Sequence, residues 1–263
     1  MGMLNKEKLL NIISKYPLSN QCFSKYIIWI CDNVKEDYQK YDLIKCLTNS
    51  EEFHRLEKLE EGLNLSQKIL KISTKEFCNK FGFTKDLLTN EPEKLHDLLA
   101  ETLFVLDLEK NHFYDIQKLP DSIKIGKNKI PNSDFIATLK NQRYAIEIKT
   151  IRIGNVSLPH NDILPDGTLR QNYWYGEMFL NNAIKKIESK QRKLFKQLNN
   201  TCEHYNCKKR MLGLYNRRLA PSTLMGDFNY HNAIKILREK YPKLDCIYVK
   251  DYFDNVYFND LHK

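Results

Sequence analysis

The spacing of apolar residues changes near residue 91 and divides the chain into two parts. Before that point apolar positions recur every three or four residues, as at Leu9, Leu10 and Ile13, which predicts amphipathic helices. The run from Ser73 to Glu76 has the capping-box pattern that opens a helix. We therefore expect residues 1–91 to form a helical N-terminal region, used for recognition or dimerisation.

From residue 92 onward, helix-like and strand-like segments alternate. The pattern predicts a helix at 92–110, strands at 112–118, 133–139 and 143–149, a loop-rich stretch at 151–180, a helix at 181–199, a strand at 211–215, a helix at 230–241, and a strand pair at 245–249 and 255–258. This order is typical of an α/β layer fold, in which helices flank a sheet. The second domain is expected to span residues 92–263.

Two charged strands are predicted to pair as a hairpin. The segment from Lys140 to Arg143 is short, and Asn141 suits a tight turn. A two-residue loop at 140–141 would place Asp134 opposite Glu147, whereas a loop at 141–142 would place it opposite Lys149. Since Glu147 and Lys149 are two residues apart, they share one face of their strand, and either register brings Asp134 to that face.

This group of two carboxylates and a lysine has two interpretations. One is a cross-strand ion pair on an exposed sheet face, which would stabilise the fold by at most ~1 kcal/mol. The other is a metal site, because Mg²⁺ takes carboxylate oxygens and keeps several waters. The apolar neighbours Ile136 and Ala145 favour burial and therefore the metal site. Asp134 and Glu147 would then hold Mg²⁺, and Lys149 would orient the attacking water or stabilise the transition state.

The same residues resemble a known family. Pro131-Asn-Ser-Asp134, followed after 12 residues by Glu147-Ile-Lys149, is similar to the signature of the PD-(D/E)xK nuclease superfamily. The resemblance implies a restriction-endonuclease-like fold, with a mixed sheet between helices, and Mg²⁺-dependent cleavage for which Mn²⁺ substitutes. The chain departs from the signature in having Asn and Ser between the proline and the aspartate.

The resemblance also implies two further site residues. Members of the superfamily tend to supply a glutamate from the helix before the sheet, and Glu101 is the candidate for a third metal ligand. Gln191-Arg-Lys-Leu-Phe195 is similar to the Gln-x-x-x-Tyr run of the RecB-like branch, with Phe in place of Tyr. Gln191 is therefore expected to join the site, as the polar member of an apolar stripe on the helix at 181–199.

The positive charge of the chain is concentrated in one segment. The formal net charge is +9, and residues 181–219 carry 11 Lys and Arg against 2 Asp and Glu. Such a block predicts a surface that contacts phosphates, and the expected contacts are Lys185, Lys186, Lys190, Arg192 and Lys193. In the preceding loop, Arg170 and Trp174 could contact or stack on bases, or Trp174 could pack the loop onto the domain.

Taken together, these features predict a Mg²⁺-dependent DNA endonuclease of restriction or anti-phage defence type. RNA is a possible substrate, and an RNase or exonuclease would use the same chemistry. A catalytically inactive nucleic-acid-binding or assembly module on a nuclease-like scaffold is the other alternative. No apolar run reaches the ~18–20 residues that span a bilayer, so no membrane partner and a cytoplasmic location are expected. A homodimer is plausible, because symmetric cutting of two strands needs two active sites.

Overall fold

The chain folds into two compact units, Met1–His112 and Phe113–Lys263. The computed structural model describes residues 5–34, 41–83, 92–125, 127–153, 170–218, 230–251 and 256–258. The first unit includes the helix Pro92–Lys110, which the sequence pattern had assigned to the second domain. None of the helices within these ranges is long and apolar enough to cross a membrane.

The described part of the first unit is helical, as the apolar spacing predicted. Its helices are α1 (Lys6–Ile13), α2 (Pro17–Asn33), α3 (Asp42–Thr48), α4 (Phe53–Leu70), α5 (Thr74–Lys80) and α6 (Pro92–Lys110), with a 3-10 turn at Ser50–Glu52. Ser73 caps α5 by accepting a hydrogen bond from the Glu76 amide, as expected from the capping-box pattern. Four buried phenylalanines, Phe23, Phe77, Phe81 and Phe83, form an aromatic cluster.

A glutamate from α4 caps the start of α2. Helix α2 begins at Pro17, and Tyr16 before it makes no side-chain cap bond. Glu60 instead accepts hydrogen bonds from the Leu18 amide at 2.9 Å and from the Ser19 amide and hydroxyl, both at 2.7 Å. Partial burial raises the pKa of Glu60, but the hydrogen bonds from Ser19 and Leu18 outweigh it and hold the pKa below its ordinary value of 4.5.

We expect Glu60→Gln to lower the free energy of unfolding at pH 7 by about 1 kcal/mol, because the amide offers one accepting oxygen where the carboxylate offers two. Since folding lowers the pKa of Glu60, its stabilisation is fully present above pH 4.5 and is lost as the pH falls below 4.5 through the folded-state pKa. Urea unfolding measured between pH 7 and pH 3 should therefore show the unfolding free energies of wild type and Glu60→Gln becoming equal as the pH falls. Glu61→Gln, at an exposed position of α4, is the control. A difference that stays constant down to pH 3 would contradict the capping role.

The second unit is built around a six-stranded mixed sheet with the strand order β1-β4-β5-β6-β7-β8. Its strands are β1 (Tyr114–Lys118), β4 (Phe135–Leu139), β5 (Gln142–Ile153), β6 (Lys209–Arg218), β7 (Cys246–Asp251) and β8 (Val256–Phe258). The pairs β1–β4, β4–β5 and β7–β8 are antiparallel, and β5–β6 and β6–β7 are parallel. The sequence did not predict the separate hairpin of β2 (Ser122–Ile125) and β3 (Asn128–Pro131).

The structure corrects the predicted boundaries of one loop and one helix in this unit. The stretch 151–180 was expected to be loop-rich, but β5 continues to Ile153 and α7 (Arg170–Ser189) already begins at residue 170. The single helix expected at 181–199 is divided at Lys190 into α7 and α8 (Gln191–Tyr205). At that point the Lys190 amide bonds to the Ile187 carbonyl, three residues back, and Lys190 leaves helical geometry at φ −128°. Helix α9 (Tyr230–Lys240) lies where it was predicted.

The core of the second unit lies between one face of the sheet and helices α7 to α9. Residues Ile136, Ala145, Ile151, Leu212 and Ile247 of the sheet belong to the same buried cluster as Phe179, Ala183, Ile187, Leu194, Leu198 and Leu237 of the helices. Because side chains alternate along a strand, Glu147 and Lys149 share the face of Ala145 and Ile151. Glu147 and Lys149 therefore lie on the face that the helices cover.

Candidate functional site

The hairpin turn fixes the register of β4 and β5. Lys140 and Asn141 both have positive φ, 48° and 61°, as a two-residue type I′ turn requires. Leu139 pairs with Gln142, and the ladder continues to Phe135 with Ile146. The ladder ends at that pair, and Asp134, the residue before β4, contacts β5 through its carboxylate, which accepts a hydrogen bond from the Ile148 amide next to Glu147. Of the two registers that the sequence allowed, the structure has the first, in which Leu139 pairs with Gln142.

Glu147 and Lys149 form an ion pair under the helical layer. Glu147 is 1% exposed, and its Oε1 accepts a hydrogen bond from Nζ of Lys149. The Lys149 side chain is 20% exposed and that of Glu147 is 2% exposed, so the lysine is the more accessible member of the pair. The same ammonium donates to the Ile148 carbonyl at 3.2 Å. A cation that is held by a buried carboxylate and still reaches water is suited to act on a phosphate or on an attacking water.

Asp134 is held by the backbone of β5 and by a second lysine. Its Oδ2 accepts a hydrogen bond from the Ile148 amide at 2.7 Å, and its Oδ1 lies 3.5 Å from Nζ of Lys118. The Lys118 side chain is 4% exposed, and its ammonium lies 4.9 Å from the centre of the Phe135 ring. Asp134 itself is 17% exposed in its side chain.

Sequence reasoning missed Lys118. On β1 the buried positions are Ile116 and Lys118, so a strict two-residue alternation from Ile116 would have put the lysine on the buried side. A lysine on a buried strand position needs an acidic partner, and Asp134 on the neighbouring strand supplies it.

The four charged groups compensate one another. Two carboxylates (Asp134 and Glu147) and two ammonium groups (Lys118 and Lys149) make contact in two pairs. All four are mostly buried, so the interpretation as an ion pair on an exposed sheet face does not describe this site. Burial makes the partnership necessary, because an uncompensated charge there would cost several kcal/mol.

The donor set fits a hard divalent cation better than a soft one. Asp134 and Glu147 supply only carboxylate oxygens, each with more than one lone pair, and Mg²⁺ is bound through one or two carboxylates while keeping its waters. Across the described residues, no group of three or more His, Cys, Asp and Glu side chains is placed to hold a metal ion. Glu101 lies on α6, in the first unit, and its role as a third ligand stays a prediction.

Three other predicted site residues lie on the helices. Gln191 is the exposed first residue of α8, so the expectation of a polar residue on a buried stripe is wrong: the helix break at Lys190 turns it to solvent. Its part in the site stays a prediction. Arg170 and Trp174 belong to the start of α7 rather than to a loop, and their side chains lie outside the described residues.

The positive block forms an exposed surface on α7 and α8. We call Lys185, Lys186, Lys190, Arg192 and Lys193 the basic surface; all are exposed except Lys186, which is half-buried. Lys185 and Lys186 line an open groove of about 380 Å³ together with Asn182, Ser189, Thr150 and Ile151. Thr150 and Ile151 directly follow Lys149 on β5, so the groove runs beside the strand that carries the site. Glu188, one of the two acids of residues 181–219, pairs with Lys240 at 2.7 Å.

Comparisons of the chain with protein-family models, curated proteins and solved structures found no match. An assignment of activity therefore depends on the chemistry of Asp134, Glu147 and Lys149 and on the charges around them.

Proposed function

We propose that this protein is a Mg²⁺-dependent nuclease that hydrolyses phosphodiester bonds in DNA. The observation that carries the proposal is that the Asp134 carboxylate is bonded to the Ile148 amide of β5, between Glu147 and Lys149, which are bonded to each other. Two carboxylates and a lysine on adjacent strands, partly open to solvent at Lys149, are the groups that metal-assisted hydrolysis of a phosphate requires.

The order of the elements supports a restriction-endonuclease-like fold. Three antiparallel strands, β1, β4 and β5, are followed by the helices α7 and α8 and then by β6, which is parallel to β5. The superfamily that the Asp134 and Glu147-Ile-Lys149 motif resembles has this sequence of elements. Glu147 and Lys149 lie on β5, the third of these strands, and Asp134 is the residue directly before β4, the second.

In the proposed reaction, Asp134 and Glu147 would hold the cation. The chemistry that Mg²⁺ supplies when bound is polarisation of the phosphoryl oxygen, a lower pKa for the attacking water and compensation of charge on the leaving oxygen. Lys149, held by Glu147, orients the attacking water and stabilises the negative charge of the transition state. Lys118 holds the Asp134 carboxylate in place from the other side.

The basic surface supports a nucleic acid as the substrate. Its lysines and arginine have few acids among them, and a polyanion held there would run along the groove beside β5. We propose double-stranded DNA as the substrate and endonucleolytic cutting by a homodimer, in a restriction or anti-phage defence role in the cytoplasm. Mn²⁺ is expected to replace Mg²⁺.

A second candidate function is nucleic-acid binding without catalysis. It is favoured by the charge balance of the site, in which Lys118 and Lys149 already compensate both carboxylates. Such a site is neutral without a metal ion. An inactive module on a nuclease-like scaffold would keep the basic surface and its affinity for polyanions.

A substrate panel separates these candidates. Purified protein is incubated with supercoiled plasmid, linear duplex, single-stranded DNA and RNA, with Mg²⁺, Mn²⁺, Ca²⁺ or a chelator. We expect plasmid nicking or linearisation with Mg²⁺ and Mn²⁺ and none with the chelator. Cutting of linear ends alone would indicate an exonuclease, and cutting of RNA alone an RNase. Salt-dependent binding without any cutting would favour the inactive module and contradict the proposed catalysis.

A further inference from the structure

Three side chains of α8 bind the segment that leads into Asp134. The Gln197 amide donates to the Asn132 carbonyl at 2.7 Å, and the Asn200 amide donates to the Pro131 carbonyl at 3.1 Å. The Thr201 hydroxyl accepts a hydrogen bond from the Ser133 amide at 2.9 Å. We call Gln197, Asn200 and Thr201 the α8 clamp.

The α8 clamp follows from helical spacing. Its members are separated by three and four residues, so they lie on one face of the helix. That face meets consecutive backbone groups of residues 131–133, and the Ser133 and Thr201 contact is buried. The helix thereby satisfies polar groups at the end of β3 and in the two residues, Asn132 and Ser133, that join β3 to Asp134.

The segment is also held from its other side. The Asn132 amide donates to the Asp121 carbonyl at 3.0 Å, and its side chain donates to the Pro120 carbonyl at 3.0 Å. The Leu119 amide donates to the Asp134 carbonyl at 2.9 Å. Residues 131–134 therefore have little freedom, and α8 supplies the bonds on one side of them.

We propose that Gln197 and Thr201 are positioning residues that fix the carboxylate of Asp134 against β5. The chain of contacts runs from Thr201 to the Ser133 amide, then one residue along the backbone to Asp134, whose Oδ2 accepts from the Ile148 amide. Without the α8 clamp, residues 132–133 lose their bonds on the helix side, and the carboxylate is free to leave Ile148. The benefit of this order for metal binding rests on the proposed function; the positioning of Asp134 does not.

The Ile148 amide reports the position of Asp134 directly, because Asp134 Oδ2 is its acceptor. The test compares wild type with Gln197→Met/Thr201→Val, which removes two α8 clamp bonds and keeps side-chain volume. Asn199→Ala is the matched control: Asn199 lies on the same helix and accepts from Arg210 at 2.9 Å, away from residues 131–134. Amide hydrogen exchange is followed by NMR, and Mn²⁺ affinity is measured by calorimetry without substrate.

We expect exchange of the Ile148 amide to become about tenfold faster in the double variant and unchanged in Asn199→Ala. The Mn²⁺ dissociation constant should rise by about tenfold, as when a residue supporting a metal ligand is lost. Equal Ile148 exchange in wild type and the double variant would overturn the proposal. Faster exchange in a protein whose wild type binds no Mn²⁺ would support the positioning and contradict the proposed function instead.

Discussion

Replacement of Lys149 by methionine is expected to lower the rate of DNA cleavage by about 10²–10³-fold, the loss seen when one group that stabilises transition-state charge is removed. The ammonium of Lys149 is the cation held by Glu147, and at 20% side-chain exposure it reaches the solvent side of the site. Methionine keeps most of the side-chain length and removes the charge. Binding of DNA to the basic surface should change little, so the loss should appear in the rate rather than in the affinity.

The same replacement leaves Glu147 buried without the ammonium of Lys149, so we expect it to lower the stability of the fold as well. Losing one partner of a buried pair costs roughly 3–5 kcal/mol. Glu147→Gln/Lys149→Met removes both charges and should recover much of that stability. If catalysis depends on these groups, the double variant stays inactive although its melting temperature recovers. A double variant that cuts plasmid at the wild-type rate would remove Glu147 and Lys149 from the reaction.

Neutralising three residues of the basic surface is expected to weaken polyanion binding and flatten its salt dependence. All three are exposed: Lys185 lies on α7, Lys190 at the junction of the two helices and Lys193 on α8. With glutamine at all three positions, the slope of log K against log salt should fall by about 2–3, since each lost phosphate contact removes ~0.9. The slope is measured by filter binding of a short duplex between about 50 and 200 mM salt, the range in which binding through phosphates weakens strongly.

The control is a second triple variant that loses the same three positive charges elsewhere in the second unit. Lys129, Lys235 and Lys243 are exposed and lie outside the basic surface. Replacing these three by glutamine should leave the salt slope near that of wild type, because the slope counts phosphate contacts rather than net charge. Equal slopes for the two triple variants would show that phosphates are not bound at α7 and α8 in particular.

The sequence was sufficient for the parts of the fold that depend on local signals. The sequence predicted the hairpin of β4 and β5 but left two registers open, and the turn at Lys140 and Asn141 selects the one in which Leu139 pairs with Gln142. Short apolar runs located the strands β4 to β7. The helix α9 and the helical nature of the first unit followed from the spacing of apolar residues in the same way.

The parts that the sequence did not reveal depend on contacts between distant residues. The sequence gives no sign of the helix break at Lys190, since Ile187 and Leu194 on either side of it keep a helical spacing of seven residues. The break also turned Gln191 outward. Lys118 becomes significant only when β1 pairs with β4 and brings it to Asp134. The α8 clamp joins residues 65 to 69 positions apart, a separation for which a single sequence carries no periodic signal.

The measurement that tests the central claim most directly is the initial rate of plasmid nicking against Mg²⁺ concentration, for wild type and Asp134→Asn. Asparagine keeps the shape of Asp134 and an acceptor for the Ile148 amide, but removes the charge that would hold the cation. Thermal melting must show that both proteins are folded, because the buried Lys118 loses its acidic partner. We predict a rate that rises to saturation with Mg²⁺ for wild type and stays at background for Asp134→Asn. Superimposable curves for the two folded proteins, or nicking by wild type that does not depend on Mg²⁺, would contradict the account.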